Sequence, residues 1–213
     1  MPIDLLDLLG WKRQIVELYA EIRAAPDPAE AWLRWCQVRD ELFRSHPQSP
    51  LPEPARAGFD GVPYFPYDQA LRVLAEVEPA EPEPVVIAGS AGSTLRFTRF
   101  GRARFDLAGE PHRLELYWLE GYGGGIFVPF GDTTNGAGSY GPGRYVLDSV
   151  KGADLGMEGG RLVLDFNFAY NPSCSYDDRW ACPLAPRANR LTVDVRAGER
   201  VRGAPPPRTS WPG

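Results

Sequence analysis

Apolar residues at Ile3, Leu6, Leu9, Ile15, Val16, Tyr19 and Ile22 recur at helical spacing, with Gly10 as a weak point. The pattern predicts a first helix, interrupted at that glycine. A second helix starts at Asp27-Pro28-Ala29-Glu30. Asp27 can accept from the orphan N–H groups, Pro28 suits the first helical position, and Glu30 completes a capping box. This helix runs to about Phe43 and must stop near His46-Pro47. Its aromatic face, Trp32, Trp35, Cys36, Leu42 and Phe43, reads as a packing surface against the rest of the chain. Residues 47–68 are rich in proline and aromatics, which excludes helix and predicts an extended cover over the body. Beyond them the period changes to two: Leu95/Phe97, Ala103/Phe105/Leu107, Leu114/Leu116/Trp118, Leu162/Leu164/Phe166/Phe168 and Leu191/Val193/Val195. Gly101-Arg102 and Gly109-Glu110-Pro111 read as hairpin turns.

Short alternating strands punctuated by turns argue an antiparallel β-barrel or sandwich and not βαβ units. The fold class expected is therefore mainly β with N-terminal helices. The division expected is a helical segment over 1–46 packed on the body, one β-rich domain over 47–203, and a Pro-rich tail over 204–213.

Composition narrows the function classes. With 213 residues, 43% hydrophobic and 24% charged, the chain is long enough and apolar enough to fold around a sizeable core. Its net charge of −5 and its scattered arginines give no electrostatic footprint for nucleic acid. No apolar run approaches the ~20 residues that span a bilayer. The N-terminus carries Asp4 and Asp7 where a signal peptide needs basic residues, so a cytoplasmic location is expected. Three cysteines do not make a secreted disulfide framework. Nucleic acid and membrane are not expected as partners. A small-molecule ligand and self-association stay open, and no cofactor is indicated.

Candidate chemistry concentrates in 132–190. Nine of the 23 glycines fall between Gly121 and Gly143. Gly136 to Gly141 formally match G-x-G-x-x-G, but Pro142 and the strand-like Arg144-Tyr145-Val146-Leu147 follow where a helix N-terminus would have to receive a pyrophosphate. A dinucleotide site is therefore rejected, and no Gly-Lys-Ser/Thr supplies a P-loop. In the segment Arg161–Tyr170 alternation sets Asp165 and Asn167 on one side of a strand, ~7 Å apart. If covered, they need partners, for which Arg144, Tyr140 and Asn171 are the natural candidates. Asp132 reads as a turn-capping carboxylate ahead of a catalytic one.

Cys174 and Cys182 allow three readings: two buried or bridged loop thiols, part of a metal site, or a reactive thiol with Cys174 as nucleophile or one half of a redox pair. The metal reading is weak, because His46 and His112 are remote in sequence. Asn171-Pro172-Ser173 is no glycosylation acceptor, because proline holds the middle position.

Several strings together resemble a bacterial family known as domain of unknown function 1684. They are Gly61-Val62-Pro63-Tyr64-Phe65-Pro66, Phe127–Thr133, Tyr140-Gly141-Pro142-Gly143-Arg144-Tyr145, Leu164–Cys174, Cys182-Pro183-Leu184-Ala185-Pro186, Asn189-Arg190-Leu191 and Ala197-Gly198-Glu199. The likeness runs from about Trp35 to Arg200 and departs at Val62, Ser173 and Arg187-Ala188. It implies a shared architecture and groups Tyr140, Arg144, Asp165, Asn167, Tyr170, Asn171, Cys174, Cys182 and Asn189 as one polar set. It implies no activity.

Two readings of that set follow. In the first, a pocket under the Gly-rich loop binds a small molecule or performs catalysis. Asp165 and Cys174 are then its catalytic candidates, and Tyr140, Arg144, Asn167, Tyr170, Asn171 and Asn189 bind. In the second, the same residues form a buried structural network with an Arg144–Asp165 pair, and function lies in a surface contact.

Overall fold

The computed structural model describes residues 4–201. The expected Pro-rich tail, 204–213, and Ile3 lie outside the described residues. Two helices, α1 (Leu5–Ala24) and α2 (Pro28–Ser45), precede seven strands: β1 (Arg72–Ala88), β2 (Thr94–Leu107), β3 (Glu110–Leu119), β4 (Gly125–Phe130), β5 (Arg144–Asp148), β6 (Met157–Glu158) and β7 (Arg161–Asp165). Mainly β with N-terminal helices is thus the fold, as the periodicity predicts. The strands form one antiparallel sheet in the order β5-β4-β3-β2-β1-β7-β6. Of the two forms expected, the closed barrel is not made: β5 and β6 remain the ends of an open sheet. The sheet curls, however, because Tyr145 in β5 exchanges both backbone bonds with Tyr170, just past β7, at 2.9 and 3.1 Å.

The sequence reading and the structure differ at several elements, each for a local reason. Helix α1 is continuous through Gly10, and a side chain there would stand 3.7 Å from the His46 ring. Within 47–68, expected to hold no helix, Glu53–Arg56 makes one helical turn, with Pro54 inside its first positions. Gly101-Arg102 is no hairpin turn. It sits inside β2 beside a register shift between Arg99 and Gly101, and a Cβ on Gly101 would meet the Glu78 carbonyl at 2.8 Å. The β2–β3 turn is Ala108-Gly109, both at positive φ as a tight two-residue hairpin needs. Trp118 continues the Leu114/Leu116 alternation but is 45% exposed. At that end of β3 the packing has moved to the opposite face, through Tyr117 and Leu119.

Core therefore lies on both sides of the sheet. One cluster gathers Leu114, Leu116, Val128, Phe130, Leu147, Leu164 and Phe166, and is closed by Leu191, Val195 and Ala197 from the chain after the last strand. On the other face Ile87, Phe97, Tyr117, Phe127 and Tyr145 pack together. The helices form a third cluster around Trp35, with Ile15, Leu18, Tyr19, Ile22 and Leu42. Trp35 meets Phe168 edge-on at 5.4 Å, and the Trp32 indole N–H donates to the Asn167 carbonyl at 3.0 Å. These contacts seat the aromatic face of α2 on the body. Asp27 caps α2, accepting from Ala29 N at 2.8 Å. Among the described residues no helix is long and apolar enough to cross a membrane.

Candidate functional site

The Gly-rich segment after β4 folds on itself. Asp132 accepts from Thr134 N at 2.8 Å and from the Thr134 hydroxyl at 2.6 Å, and the Asn135 amide bonds Asp132 N and the Tyr140 carbonyl. Gly143 then turns the chain at φ +109, where a Cβ would meet the Phe130 carbonyl at 2.6 Å. This turn aims Arg144 inward. The guanidinium is fully buried, pairs with Asp132 Oδ2 at 2.8 Å, and donates to the carbonyls of Val195 (2.8 Å), Ala197 and Glu199 (3.3 Å). The Phe130 ring lies 5.0 Å from its carbon. The expected Arg144–Asp165 pair is thus replaced by Arg144–Asp132. Asp132 follows Phe130, which pairs directly with Arg144 across β4 and β5, whereas the Asp165 carboxylate is turned to Asn167.

The Asp165–Asn167 geometry also differs from the alternation. Strand β7 ends at Asp165, because its Oδ1 accepts from Asn167 N at 3.0 Å and caps a 3-10 turn over Phe166–Phe168. The Asn167 amide then reaches the same oxygen at 2.8 Å and also holds Asp68 through its backbone N and O, at 2.9 and 2.8 Å. Asn189 is used in the same way, bonding both backbone groups of Glu115 (2.8 and 3.0 Å) and the Pro129 carbonyl (2.7 Å). Tyr170 donates to Asp148 at 3.2 Å. Asn171 donates through its backbone to Glu199 at 2.9 Å and through its amide to the Arg200 carbonyl at 3.2 Å. Glu199, fully buried, pairs in turn with Arg39 at 2.8 Å. Arg39 lies over the rings of Trp35, Phe43 and Tyr170. The sequence reading passed over this pair. Its signal was a charge set four residues from both Trp35 and Phe43 on the apolar face of a helix.

Of the expected set, Tyr170 and Asn171 line a small cavity of 50 Å³ under α1 and α2, and a larger space is lined by Asp165. Its side chain is 1% exposed, and Oδ2 has no hydrogen-bond partner, with Arg72 Nε the nearest charge at 4.0 Å. Burial pushes the carboxyl up to about 6, against the opposing effects of Asn167 and Arg72. The residue lines a cleft of 420 Å³ between the α1–α2 turn and strands β1, β6 and β7. Ile22, Pro26, Leu155, Met157, Val163 and Phe168 make apolar walls. Arg72, tied to Glu158 at 2.7 Å, stands beside the carboxylate. Tyr140, Arg144, Asn167, Asn189 and Cys174 do not line it. No residue of the Gly-rich segment 121–143 is among the described residues that line this cleft. Arg72 escaped the sequence reading because the stretch that became β1 was not read as a strand.

The cysteines sit elsewhere again. Cys174, on a 3-10 turn over Ser173–Ser175, and Cys182 are both free and both buried. The Tyr140 hydroxyl lies 3.8 Å from the Cys174 sulfur. The neighbouring Cys182 holds the Cys174 thiol below its ordinary value against the opposing effect of burial, while Cys174 and burial raise Cys182. Among the described residues no group of three or more His, Cys, Asp or Glu is placed to hold a metal ion.

Comparison with known proteins places this arrangement in context. The family profile described as "Protein of unknown function (DUF1684)" matches residues 57–200, a narrower span than the sequence strings suggest. Among solved structures, an uncharacterized protein of Haloarcula marismortui, determined in solution by NMR, is similar at 37% identity with a TM-score of 0.58. The match covers 81% of this chain and 95% of that one. No curated protein matches.

Proposed function

We propose, for a chain that belongs to the DUF1684 family of proteins of unknown function, that it binds a small molecule in the cleft that Asp165 lines. The supporting observation is the Oδ2 oxygen of Asp165, buried and without a hydrogen bond at the edge of a 420 Å³ space. A buried polar atom left unpaired costs about 1–3 kcal/mol, and a ligand donor would remove that cost. The walls ask for a compact apolar body, and Asp165 asks for an amine or hydroxyl on it. An amine fits best, since a cation stabilises the ionised carboxylate that burial disfavours. Arg72 can leave its half-exposed partner Glu158 for an acidic group on the same ligand.

Binding is favoured over covalent catalysis, because among the described residues no serine, cysteine, histidine or tyrosine lines the cleft. In this reading Arg144, Asn167, Asn171 and Asn189 hold the backbone, as their bonds to carbonyls and amides describe. The test is a fragment screen by NMR that observes the protein methionine methyl groups, run on wild type and Asp165→Asn. Hydrophobic amines are expected to perturb the Met157 methyl resonance and to bind the variant at least tenfold more weakly. Equal binding to both proteins, or perturbations confined to another surface, would overturn the assignment.

A further inference from the structure

We propose that the cavity between the two helices and the segment 170–173 is a second ligand site, which takes a short hydroxy carboxylate. Different observations carry this and the cleft, and no described residue lines both. Trp11, Ile15 and Tyr19 recur at every fourth position of α1, and Arg39 and Phe43 stand four apart on α2. Residues at that spacing share a helix face, so both helices turn one face to the same space of 50 Å³. From the body, the turn after β5 brings Lys151 to it. Gly152 closes that turn at φ +83, and a Cβ there would meet the Val16 side chain of α1 at 2.6 Å. Glycine is what lets the turn take that conformation and lie so close to the helix. Asp148 and Ala153 then exchange both backbone hydrogen bonds, at 2.9 and 2.8 Å, which fixes the loop that carries the lysine.

The lining carries two cations and, among the described residues, no carboxylate. Arg39 is buried at 6% exposure, whereas the Lys151 side chain is 45% exposed and marks the mouth. Arg39 uses Nε on the Tyr64 hydroxyl at 3.2 Å and Nη2 on Glu199 at 2.8 Å. Its Nη1 donates to no described residue and is left for a ligand oxygen. Glu199, which balances its charge, does not line the cavity. Lys151 Nζ lies 3.8 Å from Asp148, too far for a hydrogen bond, so it can take a second oxygen. A carboxylate offers two oxygens to these two cations. Asn171 supplies the third contact. Its amide nitrogen donates to the Arg200 carbonyl at 3.2 Å, which turns Oδ1 the other way, buried and without a hydrogen bond. A bare acceptor calls for a donor, and a hydroxyl beside the carboxylate supplies one without bringing a positive charge to Arg39 and Lys151. Trp11, Ile15, Phe43 and Pro50 make the remaining walls apolar, which suits a short carbon body. The same walls disfavour phosphate, whose further oxygens would meet no donor there.

The experiment is titration of the isotope-labelled full chain with lactate, followed by NMR at the indole N–H of Trp11. Propionate, which keeps the carbon skeleton and lacks the hydroxyl, and inorganic phosphate are titrated in parallel. Lactate should shift the Trp11 resonance saturably, and propionate should bind about tenfold more weakly, as a site with a waiting hydrogen-bond acceptor discriminates. Lys151→Gln, a change at a half-exposed position, should weaken lactate binding several-fold. The indole resonances of Trp32 and Trp35 should stay in place in that variant, which shows that the helical layer is intact. The absence of a saturable shift with lactate, equal affinity for propionate, phosphate bound as tightly as lactate, or unchanged lactate affinity in Lys151→Gln would each overturn the proposal.

Discussion

Asp165 keeps one oxygen bonded and the other bare, and the consequence can be read in the pH dependence of folding. Its carboxyl titrates at about 6 in the fold against 3.8 for an ordinary aspartate. Between those values the folded protein holds a proton that the unfolded chain has lost. The stability slope is therefore negative: this residue's contribution is full below pH 4 and is lost as pH rises to about 6. Two pH units correspond to about 3 kcal/mol. Asp165→Asn keeps an oxygen for both Asn167 donors and removes the ionisation. It should leave stability near pH 4 little changed and raise it by up to about 3 kcal/mol at pH 7. Urea unfolding at the two pH values measures the difference. A variant that is less stable than wild type at pH 7 would mean that the carboxylate is satisfied in the fold. A residue that weakens the native state in this way supports the ligand site proposed for the cleft.

Among the elements, α2 ties the helical layer to the sheet. Trp35 is wholly buried between Tyr64 and Phe168, and its indole N–H donates to the Tyr19 hydroxyl at 3.2 Å. Trp35→Ala should cost about 3–5 kcal/mol, by transfer and cavity together. A loss under 1 kcal/mol in thermal or urea unfolding would show that the helices are only loosely seated. This helix was legible in the sequence down to its cap, because apolar spacing and an Asp-Pro start are local signals. Strand β1 was not legible. Pro79, Pro82 and Pro84 among four glutamates speak against a strand interior, yet the segment pairs with β2 across a register shift between Pro79 and Glu83. Prolines are tolerated there because β7 takes up only Arg72–Ala75 on the other side, leaving the rest as an edge. The site shows the same division. Residues of the Gly-rich and Cys segments could be picked as a polar set, but their partners are long-range. Asp132 and not Asp165 receives Arg144, and Arg72 joins Asp165 from a strand ninety-odd residues earlier. Alternation fixes which face a side chain takes, and says nothing of what folds over it.

At the scale of the whole molecule, charge is spent in two ways. Across β1, β2 and β3, Glu83–Arg99–Glu115–Arg102 and Glu78–Arg104 form ion pairs of 2.6–3.4 Å, which explains why the scattered arginines make no basic patch. Inside, Arg144 and Arg39 are both turned on the segment 195–199, one through its carbonyls and the other through Glu199. That segment has no regular structure of its own, yet Leu191, Val195 and Ala197 complete the largest core cluster. A chain ended after Asn189 should lose cooperative unfolding and near-UV dichroism while keeping helical signal. A sharp transition at an unchanged midpoint would refute the role given to this segment. The clamp by Arg144 also sets the order of events during synthesis. Strands β4 to β7 emerge from the ribosome with a buried arginine still lacking its acceptors and a sheet face still uncovered. Until residues near 199 are available to fold back, the nascent chain exposes apolar surface of the kind that favours aggregation and proteolysis.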